Sequence, residues 1–185
     1  MQSLTPVLET PRLWLRPLQL EDADQVQQLF PQWEVVRLLS NAVPWSYPPH
    51  GSRQFYENVA LPAIARGDEW HWTLRLKTQP EQVIGAMELP ARGNFNRGLW
   101  LGLPRHGQGL MTEACDAVTD YWFDVLRHPR LRAPKASTNL ASRRISEKQG
   151  MRVAETKDTD SVSGPVLTEV WEITSEEWRA RRVLE

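Results

Sequence analysis

Hydrophobic positions along this chain recur with two different periods, and each change of period marks a new element. Leu13 and Leu15 share one face of residues 12–17, which predicts a first strand. Ala23, Val26 and Phe30 fall at helical spacing within residues 21–30. Phe55, Val59 and Ile64 are expected to point inward from a second helix over residues 52–66, bent at Pro62. Trp70, Trp72, Leu74 and Leu76 then alternate with His71, Thr73, Arg75 and Lys77, the period of a half-buried strand. Residues 83–89 and 97–103 predict two more strands, with a turn at Asn94 to Arg97 and an antiparallel meander overall.

Helical spacing returns after Gly107-Gln108-Gly109. Met111, Ala114, Cys115, Val118, Trp122 and Val125 make one apolar stripe of a long amphipathic helix. Residues 132–137 predict a short strand. Asn139 suits the N-cap of a helix over residues 140–149, and Gly150 suits its C′ position. Residues 151–156 and 166–174 predict two last strands, joined by a polar loop over 158–165. The order β, α, α, β, β, β, α, β, α, β, β predicts one mixed α/β domain spanning residues 1–185.

With 41% hydrophobic and 24% charged residues, the chain has the composition of a globular domain. Twenty-two basic residues against 23 acidic ones leave a charge of -1, which argues against a nucleic acid or anionic membrane partner. The single cysteine, Cys115, cannot form an internal disulfide. The opening residues lack the basic and apolar regions of a signal peptide, and no run approaches the ~18 apolar residues of a membrane span. The expectation is a cytoplasmic protein, monomeric or homodimeric.

The chemistry concentrates where a strand ends, Gly107-Gln108-Gly109 turns the chain, and the long helix begins. A helix N-terminus offers unpaired N–H groups and positive charge, and glycines admit a close ligand. That combination suits phosphate oxygens. A tight turn needing two positive φ angles would account for the same glycines. No Gly-Lys-Ser/Thr follows, so this is not a P-loop. A third glycine is missing, so it is not a dinucleotide fingerprint either.

The segment from Leu99 to Ala114 resembles motif A of the GNAT acetyltransferases, Gln/Arg-x-x-Gly-x-Gly/Ala, which cradles the coenzyme A pyrophosphate. Leu110-Met111-Thr112-Glu113-Ala114 is similar to the branch that acetylates ribosomal-protein N-termini (RimJ/RimL-like). Asn139-Leu-Ala-Ser142, continuing through Glu147-Lys148-Gln149-Gly150-Met151, looks like the same branch, as do Leu8-Glu-Thr-Pro-Arg-Leu13 and Ser175-Glu-Glu-Trp178. The family's Gln/Arg position falls on Pro104, which has no N–H to give. The resemblance implies a GNAT fold with a central mixed, mostly antiparallel sheet of about seven strands flanked by about four helices. It implies acetyl-CoA as cosubstrate, bound by the main chain of His106, Gly107, Gln108, Gly109, Leu110 and Met111. A splayed strand at Leu101, Gly102 and Leu103 would pair with the pantetheine arm, and Asn139 and Ser142 would line its thiol end.

Direct transfer to an amine needs a base for the amine and a proton for the leaving thiolate. Glu88 is the first candidate base, set on the face of Ile84 and Ala86, and His71 is its rival; an ordinary strand carboxylate would look the same. The family's tyrosine position reads Ser146, and the branch resemblance points to Ser142 as the proton donor instead. Ser142 could equally complete a first helical turn. Cys115 lies on the apolar stripe and reads as a buried structural thiol. Four scattered histidines and one cysteine give no metal-ligand spacing. Trp33, Trp45 and Tyr47 are the expected aromatic wall for the amine acceptor, a peptide N-terminus or a small amine. A non-catalytic acyl-CoA-binding module of the same fold is the alternative.

Overall fold

The computed structural model describes residues 5–182 of the chain. In order, the strands are β1 (Leu8–Glu9), β2 (Leu13–Pro17), β3 (Glu69–Leu76), β4 (Gly85–Pro90), β5 (Gly98–Leu101), β6 (Arg130–Ala136), β7 (Arg152–Ser161) and β8 (Gly164–Thr174). The helices are α1 (Ala23–Leu29), α2 (Trp33–Val36), α3 (Gly51–Phe55), α4 (Leu61–Arg66), α5 (Leu110–Asp120), α6 (Leu140–Lys148) and α7 (Ser175–Arg182). A wide π turn, Tyr56–Ala60, joins α3 to α4, and another, Tyr121–Val125, extends α5. No helix among the described residues is long and apolar enough to cross a membrane.

The strands form two antiparallel sheets, β1-β2-β3-β4-β5 and β6-β8-β7. They touch where Asn96 meets Arg132. The Asn96 N–H donates to the Arg132 oxygen at 2.8 Å, and the Arg132 N–H donates to Asn96 Oδ1 at 3.1 Å. Beyond this clasp no ladder joins β5 to β6. The sequence explains why. Main-chain polar groups alternate in direction along a strand, so Pro134 faces β5 as Arg132 does, and Pro134 has no N–H. The strands part there, leaving a gap lined by main chain.

Two cores flank the larger sheet. Leu13, Leu15, Trp72, Leu74, Met87 and Leu89 pack against Leu110, Ala114, Cys115 and Val118 of α5. On the other face Val26, Phe30, Tyr56, Ala60, Ile64 and Val83 form the second core. Helices therefore cover both faces of β3. His71, Thr73 and Arg75 are buried with it, not solvent-facing as simple alternation suggests. Asp22 meets the buried polar row, accepting from Arg75 Nη2 at 2.5 Å and Thr73 Oγ1 at 3.1 Å.

Several inward assignments change. Phe55 and Val59 are exposed, at 40% and 48%, and Tyr56 and Ala60 are buried instead. The π turn carries an extra residue per turn and rotates the apolar stripe. The second π turn likewise turns Val125 out to 62% exposure. Ile84 joins Met87 and Leu89 in the first core and does not share the face of Glu88. The expected polar loop over 158–165 is mostly strand, with β7 and β8 closing at Val162 and Ser163. That hairpin tip is tied to the loop before α3: the Val162 N–H donates to Leu39 O and the Asn41 N–H to Asp160 O.

Candidate active site

A short 3₁₀ turn, Leu103–Arg105, follows β5 and leads into the glycine loop. Gly107 and Gly109 both adopt φ +74°, so both glycines are conformationally required. The loop is exposed, and a Cβ at Gly107 would meet nothing within 4 Å. Its free N–H run starts one residue later than expected. The His106 N–H donates to Leu103 O at 3.1 Å, a bond of the 3₁₀ turn that Pro104 opens. The N–H groups of Gly107, Gln108, Gly109 and Leu110 have no acceptor among the described residues. Those four amides, at the positive end of α5, fit a diphosphate. At the end of β5, His106 Nε2 donates to Leu101 O at 2.7 Å, and the Gly102 N–H donates inward to Ile84 O at 2.8 Å. Leu103 lies in the 3₁₀ turn, so the open β5 edge ends at Leu101. Met111 is buried in the first core and holds α5 to the sheet.

The loop has a brace that periodicity does not reveal. Glu113, in the first turn of α5, accepts from Thr10 Oγ1 at 2.5 Å, from the Arg12 N–H at 2.8 Å and from Arg12 Nε at 2.6 Å. Arg12 Nη1 also donates to Gln108 O at 2.9 Å. The two segments Leu8 to Leu13 and Leu110 to Ala114, recognised separately in the sequence, are thus one contact. Arg12 adds a half-exposed cation beside the loop. A shallow cleft of about 540 Å³ runs along α5 on the same side, but Glu9, Glu113, Asp116 and Asp120 line it against Lys148, and the excess of carboxylates disfavours a diphosphate.

On the other face of the larger sheet, Glu88 of β4 stands opposite His71 of β3. Glu88 Oε2 lies 3.6 Å from His71 Nδ1, and Glu69 Oε2 lies 2.7 Å from His71 Nε2. The two rival bases are neighbours, and Glu69, unremarked in the sequence, completes the row. Ligand atoms of all three lie within 4.8 Å of one another. Each ring nitrogen faces a different carboxylate, which suits proton passage along the row better than three ligands converging on one ion. Burial pushes the Glu88 carboxyl above its ordinary value; His71 opposes that shift and Glu69 adds to it. The Glu88 side chain as a whole is still 28% exposed, which leaves an edge for an incoming group to reach.

Phe55, thrown outward by the π turn, sits 6.3 Å from the His71 ring. Tyr47 packs on Phe30 at 5.2 Å, and Phe30 on Trp100 at 5.2 Å, along the same side of the sheet. Burial raises the Tyr47 hydroxyl, with a bond to Ser52 opposing. Trp33 and Trp45 form an exposed pair at 5.5 Å. Of the three expected acceptor aromatics, Tyr47 packs into this row of rings and the two tryptophans stand at the surface.

Asn139 caps α6 as expected, its Oδ1 accepting the Ser142 N–H at 3.1 Å. Ser142 is half-buried, and its hydroxyl has no partner among the described residues. Ser146 is fully buried and accepts from Lys135 Nζ. Cys115 is fully buried, and burial raises its thiol, so it is a packing residue and not a nucleophile.

A family model described as an acetyltransferase (GNAT) domain matches residues 12–152. Among curated proteins, the probable N-acetyltransferase YjcK of Bacillus subtilis is 26% identical over 156 residues, covering 78% of this chain and 82% of that one. Among solved structures, RimJ of Mycobacterium smegmatis in complex with CoA-disulfide superposes with a TM-score of 0.79 at 18% identity, covering 97% of this chain and 92% of that one. The ribosomal-protein-S5-alanine acetyltransferase of Vibrio fischeri gives 0.78 at 14% identity, covering 94% and 98%. With the parted strands, the open glycine loop and the family match in agreement, the chain belongs to the GNAT family of acetyltransferases and uses an acyl-coenzyme A donor.

Proposed function

We propose that the protein transfers acetyl from acetyl-CoA directly to a primary amine, with Glu88 as the base. The observation that carries this reading is the placement of Glu88. Its carboxyl is raised by burial while the side chain keeps part of its surface exposed, and it stands over Gly98 at the start of the strand that borders the gap. An amine approaching from this side meets a carboxylate able to take its proton, with His71 and Glu69 behind it to pass the proton on. Bound acetyl-CoA supplies the thioester. Gly107 to Leu110 would hold its diphosphate, and Leu99 and the Leu101 N–H remain free on the β5 edge for its amide groups.

Among amines, a protein N-terminus is favoured. The acceptor side is an open surface with Trp33, Trp45 and Phe55 exposed, which suits a chain end more than an enclosed small molecule. The test is thiol release from acetyl-CoA with peptides and small amines offered side by side. Peptides should turn over fastest, and Glu88→Gln should abolish turnover while leaving CoA binding within about threefold. Tight CoA binding without turnover for any acceptor, unchanged by Glu88→Gln, would make the chain a binding module.

A further inference from the structure

The gap beyond the Asn96–Arg132 clasp has chemically opposite faces. Glu88 stands on the face covered by α1, α3 and α4. On the other face, beneath α5 and α6, Lys135 extends from β6 and is only 9% exposed. Its Nζ donates to Ser146 Oγ and, at 3.3 Å, to the main-chain oxygen of Ser142, and it lies 5.6 Å from the Trp171 ring centre. Arg97, 3% exposed, enters the same interior from the position just before β5. It donates to Gln149 Oε1 at 2.7 Å and Thr119 Oγ1 at 3.2 Å, while its Nε finds no acceptor. Neither cation has a carboxylate within 4 Å among the described residues. Cations are rarely buried without an anion, because desolvation is costly. A negative charge developing beside this pair would offset that cost.

We propose that Lys135 is the acid of the reaction, giving a proton to the coenzyme A sulfur as it leaves, so that base and acid work from opposite faces of the β5–β6 gap. The inference rests on the acetyltransferase reading above. In the step, the amine lone pair forms the N–C bond and the C–S bond breaks with its electron pair on sulfur. The amine loses a proton to Glu88, and Nζ gives one to sulfur. Lys135 ends neutral and is reprotonated from solvent, while Glu88 returns its proton; amide and thiol are the net products. The groups facing Lys135 are Arg97 ahead of β5, Cys115 of α5, Ser142 and Ser146 of α6, and Glu169 and Trp171 of β8. Burial and then Arg97 lower the ammonium to about 7, against the opposing effects of Cys115 and Glu169. Such an acid donates readily to a thiolate whose ordinary value is about 8.5.

The test titrates the thiol of protein-bound coenzyme A by its thiolate absorbance, in the unaltered protein and in Lys135→Met, Lys135→Arg and Ser146→Ala. Calorimetry first establishes that each protein binds CoA, and a melting curve that each is folded. Lys135→Met should raise the pH at which the bound thiolate appears by about one unit, since the thiolate and the Lys135 proton attract each other and the two groups titrate as a pair. Its kcat should fall about a hundredfold with little change in CoA affinity. Lys135→Arg should keep the low thiol pKa but not the kcat, because a guanidinium attracts without giving up its proton. Ser146→Ala should shift the thiol in the same direction as Lys135→Met by less, and it serves if Lys135→Met does not fold. An unchanged thiol pKa and a kcat within twofold in the folded variants would overturn the proposal while leaving the acetyltransferase reading intact. Failure of the unaltered protein to bind CoA would overturn both.

Discussion

The Glu88 carboxyl group rests on Gly98, its cross-strand partner. A Cβ built on Gly98 would come within 3 Å of Glu88 Oε1, Cγ and Cδ. Only glycine lets the carboxyl lie flat across β5 toward the gap. Gly98→Ala should therefore push Glu88 aside without unfolding the sheet, because a flexible side chain can yield where a backbone could not. The expected outcome is a kcat about tenfold lower or less still, with the KM for acetyl-CoA near its original value. Steady-state kinetics beside a melting curve check it.

The pH profile tests whether Glu88 is the base. Its raised pKa places the acid limb of kcat/KM above the ordinary carboxylate range, since the base must be ionised to act. His71 opposes that rise, because a nearby positive charge favours the carboxylate. His71→Asn removes the charge, so the limb should move to higher pH. A limb that stayed in place would mean that another group takes the proton.

The fold was legible where period and chemistry agreed. The strand faces of Leu13 and Leu15, the α5 stripe from Met111 to Val118 and the Asn139 cap all appear as read. Phe55, Val59 and Val125 were not legible, because a π turn changes the period without leaving a residue signature. His71 was recognised as a candidate, but its burial depends on helices packing the second face of β3. Lys135 and Glu69 were missed because nothing local marks them. Lys135 becomes unusual only when β6, α5 and α6 close around it, and Glu69 only when β3 sets it two positions from His71 on the same face.

Gly109 separates the two explanations of the glycine loop. Its φ of +74° costs a side-chain residue about 1–2 kcal/mol, and a Cβ there would sit 3.6 Å from Arg12 Nη2. If the loop were a turn and nothing more, Gly109→Ala would lower stability and leave ligand affinity alone. Because the amides on either side are free to bind, the substitution should also weaken CoA about tenfold by calorimetry. Pantetheine, which lacks the diphosphate, should bind the original protein poorly and the variant no worse.

Arg12, Thr10 and Glu113 tie the start of the chain to the first turn of α5, and their contribution should fade in acid. Burial raises the Glu113 carboxyl, but bonds from Thr10, the Arg12 main chain and the Arg12 guanidinium together hold it below the ordinary value. A carboxyl whose folded value is depressed binds fewer protons when folded than when unfolded. Its stabilisation is complete above the unfolded value and is lost as the pH falls through the folded one. Arg12 is about half exposed, so solvent screens part of the attraction. Glu113→Gln should cost about 1–2 kcal/mol near neutrality by denaturant titration. That deficit should shrink as the titration is repeated at pH values below the ordinary glutamate range. A deficit that stayed constant with pH would show that the shape of the side chain, and not its charge, holds α5 to the strand.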